Sequence, residues 1–338
     1  MPVSIKDVAT RAGTSRGTVS KVLNNVPEMR VSASKRQHII ETARAMGYVP
    51  NHAARALGRG KSNTLGLVIT ELRNPFFADL AAILEPLARS AGYRLLIEVT
   101  EHNVKEEEHW AAVKHGNISA WPLDGLVVWV EDWQRVAGKS GDSGQNVPTV
   151  YIGHERSDRE DWVSFDLEGG GRLAAEHVFD RGYEKVFYVT PYRNTGFELR
   201  VRAYEAVCRE RNKPSRVVLL AREEVSRRLG VEGGLALAAL PRSERPDAVL
   251  CHNDIVAVGV YQGILRAGLR IPEDIAVVGF DGIEEGQCLA KPLTTVITSN
   301  EDLARAALDA LLLRIEGDGA GEAVRTIVPV RLSVGLTT

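Results

Sequence analysis

The rhythm of apolar residues changes near residue 60. Before it, apolar positions recur at helical spacing in three short stretches: Ile5, Val8, Ala9 and Ala12; then Val19, Val22 and Leu23; then Ile39, Ile40, Ala43 and Met46. Polar residues punctuate them. Ser4 with Asp7 three residues on forms a capping box, Gly13 ends the first helix, and Thr14 makes a turn. Ser15 caps a second helix, broken by Asn24, Asn25 and Pro27, and Ser32 caps a third that Gly47 closes. Two short helices about a tight glycine turn make a helix-turn-helix unit. Residues 50–61 follow as a separate piece: Pro50, a helix-prone run at 52–57, then Gly58-Arg59-Gly60. So short a helix is marginal alone in water, so this segment is expected to fold only against a partner.

From Thr64 onward, short continuous apolar runs replace the helical period. Strands are predicted at 64–70, 94–99, 125–130, 147–152, 185–190, 216–220, 247–251 and 275–280. Between them, amphipathic stretches predict helices near 76–91, 104–116, 168–181, 197–211, 232–240 and 254–267. Fully apolar strands alternating with helices imply parallel sheets covered on both faces. Residues 62–338 are too many for one such sheet, so two lobes are expected, with a ligand cleft at the carboxyl ends of their strands. The predicted fold is therefore an all-α helix-turn-helix head on a two-lobed, doubly wound α/β body.

Charge sharpens this division. The formal net charge is only -2, but residues 1–60 hold ten Lys and Arg against Asp7, Glu28 and Glu41. A basic head on an acidic body points the head toward a polyanion. The three cysteines, Cys208, Cys251 and Cys288, have no paired spacing, which fits a reducing compartment. The first residues lack an apolar signal core and no apolar run is long enough to span a membrane, so a cytoplasmic location and no membrane partner are expected.

A helix-turn-helix unit lays the start of its second helix in the major groove of double-stranded DNA. Arg16, Gly17 and Lys21 would then face base edges, where Arg and Lys suit guanine. Ser15, Ser20, Asn24, Lys35 and Arg36 are placed to meet phosphates. A three-helix protein-binding module is the bland alternative. The segments IKDVATRAGTSRGTVSKVLNN (5–25) and VSASKRQHIIETARAMGYVPNHAARAL (31–57) resemble the DNA-binding head of the lactose-repressor (LacI/GalR) family. The resemblance implies base reading by Arg16, Gly17 and Lys21, although Gly17 has no side chain with which to bond a base. It also implies a hinge helix in which Asn51, Arg55 and Leu57 meet the minor groove, and a homodimer on a near-palindromic operator.

The resemblance continues through the body. Thr64-Leu65-Gly66-Leu67-Val68 with Asn74-Pro75-Phe76-Phe77 is similar to the family's first strand and cleft loop. Asp247-Ala248-Val249, Asn253-Asp254, residues 277–281 and Pro292-Leu293-Thr294-Thr295-Val296 are similar to its second lobe and late crossover. They imply a periplasmic-binding-protein-like sensor. The implied division is a head at 1–49, a hinge at 50–61, one lobe at about 62–160 and 292–322, and the other at about 161–291 and 323–338. Effector contacts carried over by position are Phe76, Arg193, Thr195, Arg200, Asn253 and Asp281, with His154 and Trp133 as further candidates and Trp129 as a stacking residue or core member. Asn253 and Asp281 could instead be helix caps, and Arg200 could pair at the surface.

A sugar-like effector is expected, with a purine or other metabolite as the alternative, since Arg193-Asn194-Thr195 also resembles purine-sensing relatives. The chain has no Walker loop, nucleophile elbow or zinc-protease motif, so neither enzymatic activity nor a cofactor nor a metal is expected. The expected function is a DNA-binding transcription regulator, taken as a repressor, controlled by a small molecule. A small-molecule binding protein with no role on DNA is the competing reading.

Overall fold

The computed structural model describes residues 3–23, 31–48, 61–99, 122–129, 147–153, 158–191, 198–221, 225–317 and 321–338. The chain divides into two compact units, Met1–Ser62 and Asn63–Thr338.

The first unit holds α1 (Ile5–Arg11), α2 (Arg16–Leu23) and α3 (Ala33–Ala45). The expected caps form. The Ser4 hydroxyl and the Ser4 N–H donate to the Asp7 carboxylate at 2.7 and 2.9 Å, which holds the Asp7 carboxyl below its ordinary pKa, while the Ser4 hydroxyl oxygen accepts Asp7 N–H at 3.3 Å. Ser15 and Ser32 accept from the N–H groups of Thr18 and Lys35. Gly13, with φ +60°, turns the chain between α1 and α2 at no steric cost. Val8, Ala9, Ala12, Val19, Val22, Ile39 and Ala43 form the buried core.

The second unit contains two six-stranded sheets. In the first, the order is β11 (Arg325–Val328), β5 (Asp161–Phe165), β4 (Thr149–Gly153), β3 (Gly125–Trp129), β1 (Thr64–Ile69) and β2 (Arg94–Val99). In the second it is β12 (Arg331–Ser333), β10 (Thr294–Ile297), β9 (Ala276–Asp281), β8 (Ala248–Cys251), β6 (Val186–Thr190) and β7 (Arg216–Leu219). Every pairing is parallel except β10 with β12. The helices are α4 (Pro75–Ser90), α5 (Leu167–Asp180), α6 (Glu198–Glu210), α7 (Arg227–Ala238), α8 (Asp254–Arg266), α9 (Glu284–Gln287) and α10 (Asn300–Glu316).

The chain therefore passes between sheets three times: after β5, after β10 and after β11. These passages lie a few residues later than the sequence-based lobe division. β5 and β11 belong to the first sheet and β10 to the second, whereas boundaries at 161, 292 and 323 put each on the opposite side. The polar β5 hides its allegiance because its Ser164 is fully buried, where its hydroxyl donates to the Gly153 and Phe165 carbonyls. Arg314 of α10 grips Asp161 of β5 with two bonds of 2.8 Å, and the same carboxylate accepts Val324 N–H, tying the last passage to the first sheet. The expected helix near 232–240 begins earlier, at Arg227, where Ser226 caps it. α10, which carries much of the first sheet's cover, was not expected. The expected helix at 104–116 lies outside the described residues.

Candidate functional sites

On the head, α2 buries Val19 and Val22 and turns Arg16, Gly17 and Lys21 outward. This division follows from helical period: 17 and 21 share a face that the core residues leave open. A Cβ at Gly17 would meet only the Ser15 hydroxyl, at 3.8 Å. Lys35 is exposed in the first turn of α3 beside the half-buried Arg36, and Ser20 is half-buried on α2. Neither α2 nor α3 carries an acidic residue in its first turn, so no carboxylate of its own offsets the positive end of either helix. Ser15 is already engaged as the α2 cap. Asn24, Asn51, Arg55 and Leu57 lie outside the described residues.

In the second unit the candidates fall on loops at the carboxyl ends of strands. Phe76 stands in the first turn of α4, just past β1, where Asn74 caps the helix by accepting Phe76 N–H at 3.1 Å and Pro75 takes the first helical position. Its ring packs edgewise on Phe77, Trp129 and Phe165, at centroid distances of 5.2, 5.2 and 6.1 Å. The Trp129 indole in turn lies on Gly153, whose missing Cβ would come within 3.0 Å of three ring atoms. Trp129 is thus a buried member of an aromatic cluster.

Arg200 of α6 is almost fully buried, not paired at the surface. Its Nη1 donates to the His252 carbonyl at 2.7 Å, and its guanidinium lies 4.5 Å over the Phe280 ring. Asn253 is the cap of α8, with its amide oxygen accepting Val256 N–H at 3.1 Å. Asp281 ends β9 with φ +115°, a conformation non-glycine residues rarely adopt, and its carbonyl accepts both the N–H and the hydroxyl of Thr298. Burial raises the Asp281 carboxyl well above its ordinary pKa, the Arg200 charge opposes that rise, and Asp254 adds to it. Arg200, Asn253 and Asp281 are therefore brought to one edge of the second sheet. Arg193, Thr195, His154 and Trp133 lie outside the described residues.

Two residues matter that the sequence did not single out for these roles. Asp254, fully buried at the start of α8, accepts bonds from the Thr295 hydroxyl and from the N–H groups of Gly282 and Ile283. Burial nevertheless pushes its carboxyl up to about 7. Asn300, at the start of α10, donates to the Phe76 carbonyl at 3.0 Å and the Asp79 carboxylate at 3.1 Å. Each is polar and nearly fully buried, and no local pattern signals that. At the glycine run 169–171, Asp166 caps the helix end, and Gly170 and Gly171 admit Phe280 and the Arg200 backbone. Among the described residues no cluster of His, Cys, Asp and Glu could hold a metal, and no helix is long and apolar enough to cross a membrane.

Residues 4–51 match the bacterial regulatory proteins of the lacI family, and residues 175–338 match the periplasmic binding protein-like domain. The ribose operon repressor of Escherichia coli (strain K12) is 30% identical over 324 residues, covering 92% of this chain and 93% of that protein. The HTH-type transcriptional repressor PurR of Aliivibrio fischeri (strain MJ11) is 29% identical over 318 residues, covering 93% and 92%. The lac repressor dimer bound to operator and the anti-inducer ONPF superposes with a TM-score of 0.84 at 26% identity, covering 100% of this chain and 99% of that one.

Proposed function

This chain belongs to the lacI family of bacterial regulatory proteins, and from that membership we propose that it is a repressor whose grip on DNA is set by a sugar-like effector. Two copies bind a near-palindromic operator. Arg16 and Lys21 read bases, while Ser15, Ser20, Lys35 and Arg36 meet phosphates. The head spans 1–49, the hinge 50–61 and the sensor 62–338. The chain works in the cytoplasm and carries out no catalysis, in keeping with relatives that are repressors.

The observation that carries this reading is the outer face of α2, where Arg16, Gly17 and Lys21 are exposed directly behind a buried Val19–Val22 face. A ligand can change DNA affinity only by binding two states of the protein unequally. Arg200 and Asp281 supply the means on the second lobe: a donor fork and a carboxyl at strand ends, where ligands of open α/β sheets bind. The ribose operon repressor among the relatives supports a sugar over a purine.

The test is selection of bound duplexes from a random pool by the purified full chain at fixed moderate salt. A two-fold symmetric consensus is expected. Failure to enrich any sequence, in buffer and with small-molecule extract added, would overturn the reading.

A further inference from the structure

Asn63, the first residue of the second unit, is held from three sides. Its N–H donates to the Asp124 carboxylate at 2.8 Å, its side-chain amide donates to the Gly92 carbonyl at 3.4 Å, and its own carbonyl accepts Arg94 N–H at 2.9 Å. Asp124 stands just before β3, Gly92 just after α4, and Arg94 at the start of β2. Asn63 also has φ +53°, the left-handed region that asparagine enters more readily than most residues, so the chain turns as it enters β1.

The second sheet contains a matching clamp. Asp247 stands just before β8 as Asp124 does before β3, and its carboxylate accepts the N–H groups of Glu184 and Lys185, both at 2.9 Å, at the entry to β6. In each lobe the same acidic residue also donates its own N–H to the strand it catches: Asp124 to the Thr64 carbonyl, Asp247 to the Lys185 carbonyl. Such a clamp by itself only starts a strand. The difference lies upstream. The chain reaches Glu184 from α5 of the same unit, but it reaches Asn63 from the DNA-binding head, across the boundary between the two units at Ser62. Among the described non-glycine residues only Asn63, Asn212 and Asp281 have positive φ, so the turn at Asn63 has no equivalent at Glu184.

We propose that the Asn63–Asp124 clamp positions the DNA-binding heads: it fixes the point and direction at which the tether leaves the sensor, and so sets which separation of operator half-sites the dimer accepts. The inference rests on the reading above of two copies on a near-palindromic operator. Two linked heads bind one duplex best when the span their tethers allow matches the sites. Moving one half-site by a base pair displaces it by about 3.4 Å along the axis and rotates it by about a tenth of a turn. A clamp resists that displacement only up to the cost of opening it. Removing one of its hydrogen bonds therefore lowers the penalty for a wrong separation by about 5-fold, the net value of one such bond. Non-specific affinity needs no fixed separation and does not change.

The test uses the full chain and duplexes that carry the selected operator with its half-sites at the selected separation, or one or two base pairs closer or farther. Affinity for each is measured by fluorescence anisotropy at one salt concentration. The wild type should prefer the selected separation. Asp124→Ala should shrink that preference by about 5-fold and bind random duplex as before, while Asp124→Asn, which keeps an acceptor, should restore it to within about 2-fold. Asp247→Ala removes bonds of the same kind from a strand that carries no tether, so it should lower stability to urea yet keep the wild-type dependence on separation. Asn63→Gly loses the amide bond and frees the backbone, so it should flatten the dependence too, and it stands in if Asp124→Ala does not fold. A wild-type dependence for Asp124→Ala, or for Asn63→Gly where it stands in, overturns the proposal, as does equal flattening by Asp247→Ala or a wild type indifferent to separation; each leaves the regulator reading standing. A wild type that enriches no operator overturns that reading and the proposal with it.

Discussion

One oxygen of Asp254 accepts the Thr295 hydroxyl at 2.6 Å, while the other accepts the N–H groups of Gly282 and Ile283 at 2.8 and 2.9 Å. A single carboxyl thus joins the start of α8, the turn after β9 and the strand β10. It braces the turn that holds Asp281 at φ +115°. β10 then runs on through Thr298, which bonds the Asp281 carbonyl, to Asn300, which bonds the Phe76 carbonyl. Candidate ligand residues of both lobes are therefore set by one crossover.

Replacing Asp254 separates its charge from its hydrogen bonds. Burial raises its folded pKa to about 7 from 3.8, so the folded protein holds this proton more tightly than the unfolded chain does. The stability it contributes is complete below the ordinary carboxylate range and is lost as pH rises through about 7. Asp254→Asn keeps acceptor and shape without the charge. Urea midpoints at pH 5 and pH 8 should differ less for Asp254→Asn than for the wild type. Asp254→Ala strands two N–H groups and should cost about 3 kcal/mol at pH 5 and less at pH 8, where the wild type has lost the pH-dependent part of its stability. A wild type that gains stability over the Asn variant on going from pH 5 to pH 8 would contradict the assignment.

Two glycines on helices test opposite situations. Where α7 crosses α8, a Cβ on Gly259 would sit 2.2 Å from the Arg227 carbonyl oxygen and 2.7 Å from the Gly230 Cα. Both obstacles are backbone and cannot rotate away. Gly259→Ala should destabilise by about 1–3 kcal/mol or more. Gly17→Ala faces open space in a helix and should be neutral or stabilising by up to about 1 kcal/mol. Chemical denaturation of the two variants side by side checks both.

Gly17 also offers a test of base reading. Because it has no side chain, the base pair opposite it should tolerate substitution in the selected operator. Gly17→Gln fits the same space and brings an amide suited to adenine. Repeating the selection with this variant should sharpen that one position by about 10-fold and leave the others as they were. An unchanged consensus would place Gly17 away from the bases.

Arg16 and Lys35 should separate cleanly on DNA. Arg16→Ala should lower affinity for the selected operator by about 1–3 kcal/mol and little for random duplex. Lys35→Ala should weaken both alike and reduce the slope of log affinity against log salt by about one. Salt titrations on two duplexes are enough. Equal losses on both for Arg16→Ala would make it a phosphate contact.

Local patterns made much of the architecture legible. The head could be read residue by residue, because caps and glycine turns act within four residues of themselves: Ser4 with Asp7, Gly13, Ser32. Most strands of the body were equally plain, since a strand covered on both faces must be apolar at every position. β5 was not, because its Asp161 and Ser164 are polar and gain their partners from Arg314 and Gly153, distant in sequence. For Asn253 the residue type allows either a cap or a ligand contact, and the cap is seen.

The sequence by itself determined the helical head and the alternation of buried strands and helices, since each depends on periodicity or on neighbours along the chain. Only the tertiary structure decided which sheet takes β5, β10 and β11, that Asp254 is the brace of the Asp281 turn, and that Trp129 and Asn300 meet Phe76. Those facts are set by burial and hydrogen bonds between residues up to 224 positions apart. No local pattern encodes them, because a polar residue looks the same in sequence whether its partner is water or a distant strand.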